Sequence, residues 1–226
     1  MQSLRFAAAI PAFEAGPSIA GVVRRTRGIL NHVLVIDDGS TDDTGDRARE
    51  AGAVVLRLPE NRGKGTALRT AFSTLFGEGF EAVVTLDADG QHLPEEIPKL
   101  VRALSPGIDL VMGTRSHLFE SMGRVRRLSH ALSSRAISAV AGAQLADVQT
   151  GFRVYTRRLI ETTGVPESRF EAESAVVVRA VRRGLRIAWV PIELGYVDGR
   201  VTSHYRPLID SLRIARAVAR ARFERR

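Results

Sequence analysis

Two groups of carboxylates stand where chemistry could be done. Asp37-Asp38 follows the apolar run Val33–Ile36 and leads into Gly39-Ser40; Asp87-Ala88-Asp89 follows Val83–Leu86 and leads into Gly90-Gln91. In an open α/β sheet, ligands bind outside the carboxyl ends of the strands. If the two strands are parallel, the chain between them brings both tips to one edge. Four carboxylates gathered there repel unless a divalent cation or a donor-rich ligand sits among them. Hard oxygen ligands with no His or Cys cluster favour Mg2+ or Mn2+ over zinc. Acids at strand ends also begin turns and cap helices, and each Asp taken singly fits that role. Asp87-x-Asp89 fits it least, because two side chains two residues apart just past a strand can point into the same space.

A third element, Asn61-Arg62-Gly63-Lys64-Gly65-Thr66, follows a strand and opens a helix. Such a turn suggests phosphate contact by backbone N–H groups at a helix N-terminus. It is not a P-loop, which needs Gly at position 58, here Leu, and Ser or Thr at position 65, here Gly. Nor is it a dinucleotide fingerprint, because the first strand delivers Ile10-Pro11-Ala12-Phe13-Glu14 and no G-x-G-x-x-G. The reading is a nucleotide held by neither common nucleotide motif.

The elements that must position these residues are legible as short apolar runs alternating with helix-period segments. Phe6–Ile10, Val33–Ile36, Val54–Leu58, Ala82–Leu86 and Leu110–Met112 read as strands, apolar throughout but for Arg57 and Thr85, as expected of a parallel sheet covered on both faces. Ser18–Leu30, Thr41–Ala51, Gly65–Phe76 and Pro94–Leu104 read as helices, with Ser18 and Ser40 as N-caps and Gly52 and Gly77 as stops. That rhythm predicts a doubly wound α/β fold with a mostly parallel central sheet flanked by helices. Further on, helices are expected near Arg126–Val140, at Glu171–Arg183 and at Pro207–Phe223, with a strand at Ile187–Pro191.

Composition bounds the rest. A chain of 226 residues, 44% hydrophobic and 26% charged, is an ordinary globular protein, expected to form one domain. The longest stretch without a charge, Ala136–Ala146, falls well short of the roughly 20 residues a membrane span needs. No basic-then-apolar leader opens the sequence, and cysteine is absent, which excludes disulfides, zinc-thiolate sites and thiol nucleophiles. The expected location is the cytoplasm. The net charge of +8 is carried almost wholly by arginine, with eight from Gly199 onward against Asp210 and Glu224. A basic tail attracts polyanions, whether lipid headgroups or phosphorylated substrates. Nucleic acid is not expected, since no helix-turn-helix, zinc or aromatic-platform signature accompanies the charge.

With these residues in view, the chain resembles the glycosyltransferase family 2 enzymes, and among them the polyprenyl-phosphate sugar transferases such as dolichol-phosphate mannose synthases. Five segments carry the resemblance in order: Ile10–Glu14, Ile36–Thr44 (IDDGSTDDT), Asn61–Leu68, Leu86–Pro94 (LDADGQHLP) and Asp147–Tyr155 (DVQTGFRVY). It implies a GT-A fold, with residues 1–113 as the nucleotide-sugar half, 114–206 as the acceptor side and 207–226 as a basic C-terminal helix. It implies that Pro11, Ala12, Phe13 and Glu14 line the nucleotide pocket with Asp37 on the base or ribose. Asp38, Gly63, Lys64 and Ala88 are counted with this donor-binding set. Asp87, Asp89 and Gln91 would gather around a Mg2+ or Mn2+ ion bridging the donor diphosphate, and Arg115 would sit near the donor phosphates or the acceptor. The sequence departs from the family in placing Glu14 directly after Phe13, where an Asn is usual, and Thr150 replaces a common Ser. The Q-x-x-R-W element of processive members is absent.

The implied reaction transfers a hexose from a nucleotide-diphospho-sugar, of GDP-mannose or UDP-glucose type, with inversion. The expected acceptor is a polyprenyl phosphate at a membrane surface, the protein then lying peripherally on the cytoplasmic face; a saccharide hydroxyl is the alternative. A hydroxyl needs a base, for which Asp147, Glu171 and Glu173 are candidates. The segment Gly199–Arg206 resembles a loop that closes over the site in relatives, and it would bring Arg200, Ser203 and His204 to phosphates. On the last helix, Leu208, Leu212, Ala215 and Ala219 share a stripe with Arg213, Arg216 and Arg220 beside it. That pattern suits an anionic bilayer, and equally a core-packed stripe with a solvated basic face. Two readings of other classes stand beside this one: a Mg2+-dependent phosphatase of haloacid-dehalogenase type, using Asp87-x-Asp89-Gly90, and a non-catalytic binding module.

Overall fold

The computed structural model describes residues 4–114, 138, 142, 148, 150–195 and 207–224. The strands are β1 (Phe6–Ala12), β2 (Val33–Asp37), β3 (Val54–Arg57), β4 (Ala82–Thr85), β5 (Leu110–Thr114), β6 (Arg153–Thr156) and β7 (Ile187–Pro191). The helices are α1 (Gly16–Arg27), α2 (Thr44–Glu50), α3 (Lys64–Gly77), α4 (Ile97–Ala103, entered through a 3-10 turn at Pro94–Glu96), α5 (Arg157–Thr163), α6 (Glu171–Arg182) and α7 (Pro207–Phe223). All five strands expected in the first half form, as do the segments expected at Ile187–Pro191 and Pro207–Phe223. The helix expected near Arg126–Val140 lies outside the described residues.

The seven strands make one sheet in the order β3-β2-β1-β4-β6-β5-β7. Every pair is parallel except the two made by β6, which runs antiparallel to both β4 and β5. Successive residues of each central strand feed opposite faces. Ala7 and Ala9 of β1, with Leu34 and Ile36 of β2, pack under α3, α5, α6 and α7. Ala8 and Ile10, with Val33 and Val35, pack under α1, α2 and α4. Both faces are thereby covered, which is why these strands read as unbroken apolar runs.

Gly52 ends α2 in the left-handed region (φ +97°), as expected, while the other caps differ from those the sequence suggested. Helix α1 begins at Gly16, and Ser18 lies inside it, its Oγ donating to the carbonyls of Ala15 and Ala88. Capping comes from a distant loop: the Gly16 N–H donates to Asp42 Oδ2 at 3.0 Å and the Ala15 N–H to Thr44 Oγ1 at 2.8 Å. A carboxylate there also complements the positive end of the helix dipole. Ser40 likewise precedes α2 by several residues rather than capping it, and its Oγ accepts the Glu14 N–H at 3.0 Å. After α3 the left-handed turn falls at Gly79 (φ +83°), two residues beyond Gly77.

Candidate active site

β1, β2 and β4 all run the same way, so Ala12, Asp37 and Asp87 arrive at one edge of the sheet. The segment after β1 is fixed by the loop after β2. Glu14 sits at φ +50°, in the left-handed region, and its Oε1 accepts the N–H and the hydroxyl of Thr41 at 2.7 and 3.0 Å. Those two bonds, with the Glu14 N–H to Ser40, hold a non-glycine residue where backbone strain costs about 1 kcal/mol or more. Pro11, Ala12, Phe13 and Glu14 thus form a rigid lip beside Asp37. Asp37 is fully buried; its Oδ1 accepts the Ser40 N–H at 2.9 Å, while Arg57 Nε lies 3.6 Å from Oδ2.

Asp38 points elsewhere. Its Oδ1 accepts the Arg62 N–H at 2.8 Å and its Oδ2 the Gly63 N–H at 2.7 Å. Burial raises its pKa above the ordinary aspartate value, against the opposing pull of those two N–H groups. The turn expected to cradle a phosphate therefore spends these donors on Asp38. The Thr66 N–H at the start of α3 is spent as well, on the carbonyls of Gly63 and Ser168. The glycines of this turn serve close packing: at Gly63 (φ +92°) a Cβ would lie 2.6 Å from the Ser168 carbonyl, and at Gly65 it would collide with the carbonyl of Glu167.

Lys64 reaches inward from the first turn of α3. Its Nζ lies 2.6 Å from Asp87 Oδ1 and 2.9 Å from Glu173 Oε2, joining the tip of β4 to the start of α6. Burial alone would lower the lysine pKa; the charges of Asp87 and Glu173 outweigh it and hold the ammonium above its ordinary value. Repulsion among carboxylates at this edge is thus offset by the protein itself, with Asp38 on backbone N–H groups and Asp87 on Lys64. Gly151 makes room for the pair, since a Cβ there would come within 2.7 Å of both Asp87 oxygens and 2.8 Å of Lys64 Nζ. The Asp87 N–H donates to His92 Nδ1 at 3.1 Å, which places the ring's proton on Nε2. Asp89 Oδ1 accepts the Gln91 N–H at 2.9 Å, closing a turn that keeps Asp89 and Gln91 partly exposed above buried Ala88.

β6 supplies the floor. Because it runs antiparallel, its start arrives where β4 ends, with Thr85 opposite Arg153. Arg153 is fully buried and donates to the carbonyls of Thr150 (2.7 Å), Val148 (2.7 Å) and Glu173 (2.9 Å). Thr85 Oγ1 holds the Gly151 carbonyl at 2.8 Å. Burial pushes the neighbouring Tyr155 hydroxyl up to about 12 despite the Arg153 charge. Sequence reasoning did not anticipate the buried role of Arg153, the use of Glu173 as a partner of Lys64 in place of the base it was a candidate for, or the pairing of Lys64 with Asp87.

Among the expected residues, Pro11, Ala12, Phe13, Glu14, Asp37, Asp87, Ala88, Asp89 and Gln91 share this edge. Asp38, Gly63 and Lys64 lie beneath it as its supports. Glu173 commits Oε2 to Lys64 and Glu171 Oε1 accepts the Arg169 N–H at 3.3 Å. Arg115, Asp147, Arg200, Ser203 and His204 lie outside the described residues. Among the described residues no three or more His, Cys, Asp or Glu side chains converge as a metal cage. Asp87, Asp89 and the Gln91 amide are hard oxygen donors of the number that suits a divalent ion completing its shell with substrate phosphates, as Mg2+ does.

The Glycosyl transferase family 2 model matches residues 8–164. The undecaprenyl-phosphate mannosyltransferase of Micrococcus luteus is 31% identical over 202 residues, 84% of this chain and 83% of that protein. The polyprenol monophosphomannose synthase of Mycolicibacterium smegmatis is 31% identical over 176 residues, 71% of this chain and 65% of that protein, so the match spans just under two thirds of its length. In structure, glucosyl-3-phosphoglycerate synthase from Mycobacterium tuberculosis, solved with Mn2+, UDP-glucose and phosphoglyceric acid, superposes with a TM-score of 0.76. That superposition covers 97% of this chain and 80% of that one at 22% identity, a likeness of fold.

Proposed function

The chain belongs to glycosyltransferase family 2, and from that membership we propose that it transfers a hexose from a nucleoside-diphosphate sugar to a polyprenyl phosphate, with inversion at the anomeric carbon and a divalent cation in attendance. It is a glycosyltransferase of GT-A fold that uses a nucleotide sugar. One observation above all supports the proposal, the Asp87-Ala88-Asp89 segment with Gln91 at the edge where β1 and β2 also end. The two mannosyltransferase relatives support the lipid-phosphate acceptor by their names. The structural neighbour, which holds UDP-glucose and Mn2+, supports a nucleotide-sugar donor and a divalent cation.

Each residue then has work that follows from its placement. The lip Pro11–Glu14 and buried Asp37 would receive the nucleoside, because rigid backbone beside a buried carboxylate suits a planar base and a ribose hydroxyl. Asp87, Asp89 and Gln91 would hold Mg2+ or Mn2+, which when bound supplies Lewis-acid stabilisation of the departing nucleoside diphosphate. Lys64 and Glu173 hold Asp87 in one orientation, so that little reorganisation is needed as charge develops. A phosphate acceptor is already anionic at neutral pH and needs no strong base. That requirement agrees with Glu173, whose Oε2 already accepts from Lys64. Arg115, Arg200, Ser203 and His204 remain candidates for the phosphates of donor or acceptor.

The test is to incubate the purified protein with membranes, Mg2+ or Mn2+ and a panel of radiolabelled UDP- and GDP-sugars, then extract with organic solvent. Label in the lipid phase, released by mild acid and absent with Asp89→Ala, is the expected result and names the donor. Label that stays aqueous while nucleoside diphosphate is released would move the acceptor to a saccharide. No turnover of any donor would overturn the proposal.

A further inference from the structure

Helix α7 carries two apolar faces. Ile214, Ala217, Val218 and Ala221 are buried in the core cluster against α6. The helix is clamped there by ion pairs: Arg179 of α6, 2% exposed, donates to Glu224 at 2.7 and 2.9 Å and also pairs with Glu167, while Arg182 donates to the Ala221 carbonyl at 2.7 Å. On the opposite side Ala215 and Ala219 are exposed and Phe223 is 84% exposed, the most open large apolar side chain among the described residues. Spaced at i, i+4 and i+8, these three share one face. Arg216 and Arg220 flank the line on one side and Arg222 on the other, all exposed. The expected stripe of Ala215 and Ala219 is therefore not the one that packs into the core.

We propose that this outward face of α7 docks the protein on an anionic lipid bilayer, with Phe223 entering the headgroup boundary and Arg216, Arg220 and Arg222 meeting lipid phosphates. The apolar content is small, two alanines and one phenylalanine in the described part, and the cations are dense. Such a surface binds through charge first and insertion second, so an anionic bilayer fits it and a neutral one does not. A second copy of this chain fits poorly, because pairing the face with itself would set arginine against arginine. The face also lies one ion-pair network from the site: Glu224, next to Phe223, pairs with Arg179, Arg179 with Glu167, and the Glu167 carbonyl abuts Gly65 beside Lys64. This deepens the polyprenyl-phosphate reading and rests on it, since an acceptor buried in a bilayer has to be met at the bilayer's surface.

The experiment is flotation of the full chain, without donor or acceptor, on vesicles of phosphatidylcholine with and without phosphatidylglycerol. The chain is expected to float with the anionic vesicles at low salt, to be released at high salt and to ignore pure phosphatidylcholine. Arg216→Ala, Arg220→Ala and Arg222→Ala should each weaken partitioning about fivefold, and Phe223→Ser should weaken it further. All four positions are exposed and leave the fold intact, which circular dichroism verifies. Transfer to acceptor dispersed in detergent should be unchanged in the four variants. Equal flotation of parent and variants overturns the proposal, as does a parent that never floats. So does self-association abolished by Phe223→Ser in place of vesicle binding. Failure of the sugar-transfer reading would appear separately, as absent turnover in detergent with vesicle binding intact.

Discussion

Lys64 Nζ stands 2.6 Å from Asp87 Oδ1, and the same ammonium is 2.9 Å from Glu173 Oε2, so a single cation holds two carboxylates from separate elements, the turn after β4 and the start of α6. Substituting Lys64 by Met keeps the length of the side chain and takes the ammonium from between the two acids. The expected cost is about 3 kcal/mol, the lower part of the range for breaking a buried pair, because Asp87 is 32% exposed and water can screen it. Chemical denaturation of Lys64→Met against the parent measures it, and an unchanged midpoint would remove the pair's structural role.

Gly151 is where the pair has no spare room. Gly151→Ala should push Asp87 and Lys64 apart by a good fraction of an ångström, since the new Cβ would start 2.7 and 2.8 Å from them. The predicted signature is a fall in kcat on the order of 10- to 100-fold with a far smaller change in stability. Steady-state kinetics beside a denaturation curve separates the two.

Asp38 should behave as a brace and not as a donor contact. Asp38→Asn keeps one acceptor and turns an NH2 toward a backbone N–H, at a cost of about 1–3 kcal/mol. Its carboxyl pKa is raised in the folded protein, so the parent's Asp38 contributes stability below the ordinary aspartate pKa of 3.8 and loses it as pH rises through the folded value. Denaturation midpoints of parent and Asp38→Asn, compared across acidic to neutral pH, test both the cost and its direction.

The clamp on α7 has the opposite pH sense. The hydrogen bond from Arg179 holds Glu224 below the ordinary glutamate pKa of 4.5, against the opposing effect of burial. The stability it lends is full above 4.5 and is lost as pH falls through the depressed folded value. Glu224→Gln should therefore be less stable than the parent at neutral pH, with the gap closing in acid. A gap that persists unchanged in acid would assign the clamp to packing alone.

Metal removal gives a prediction at the site itself. Chelation should abolish transfer, and Mg2+ or Mn2+ should restore it, because Asp87, Asp89 and Gln91 present oxygen donors without His or Cys. Asp89→Ala should lose both the activity and the binding of Mn2+ in the presence of nucleoside diphosphate, read by calorimetry.

What the sequence could show and what it hid follow from range. The runs Phe6–Ile10, Val33–Ile36 and Ala82–Leu86 announced themselves because both faces of the sheet are covered, and the acids at their ends fell on one edge as the parallel reading requires. β6 did not announce itself, since Arg153 and Tyr155 are buried in it and a hydrophobic pattern cannot see an arginine satisfied by carbonyls. The caps of α1 were hidden for a similar reason: Asp42 and Thr44 serve a helix that begins some 26 residues earlier, as the Gly16–Asp42 separation shows. The turn at Arg62-Gly63 looked like a phosphate cradle because its N–H groups do donate to an anion, and only the folded chain reveals that the anion is Asp38. The role of Glu173 was beyond local reading altogether, since its partner Lys64 lies on α3.

The reversed direction of β6 bears on the order in which the protein acquires its activity. In the folded sheet β6 is the strand that joins two parallel blocks, β3-β2-β1-β4 and β5-β7, which share no ladder of their own. The partners that join them, Thr85 with Arg153 and Met112 with Arg153, are distant along the chain, and such long-range closures form slowly. Asp87 lies on the seam, and Gly151 reaches it only with that strand in place. The acids at the sheet edge therefore come earlier in the chain than the segment that crowds Asp87 into place, and a chain cut before β6 would keep the acids and lose Gly151 beside them.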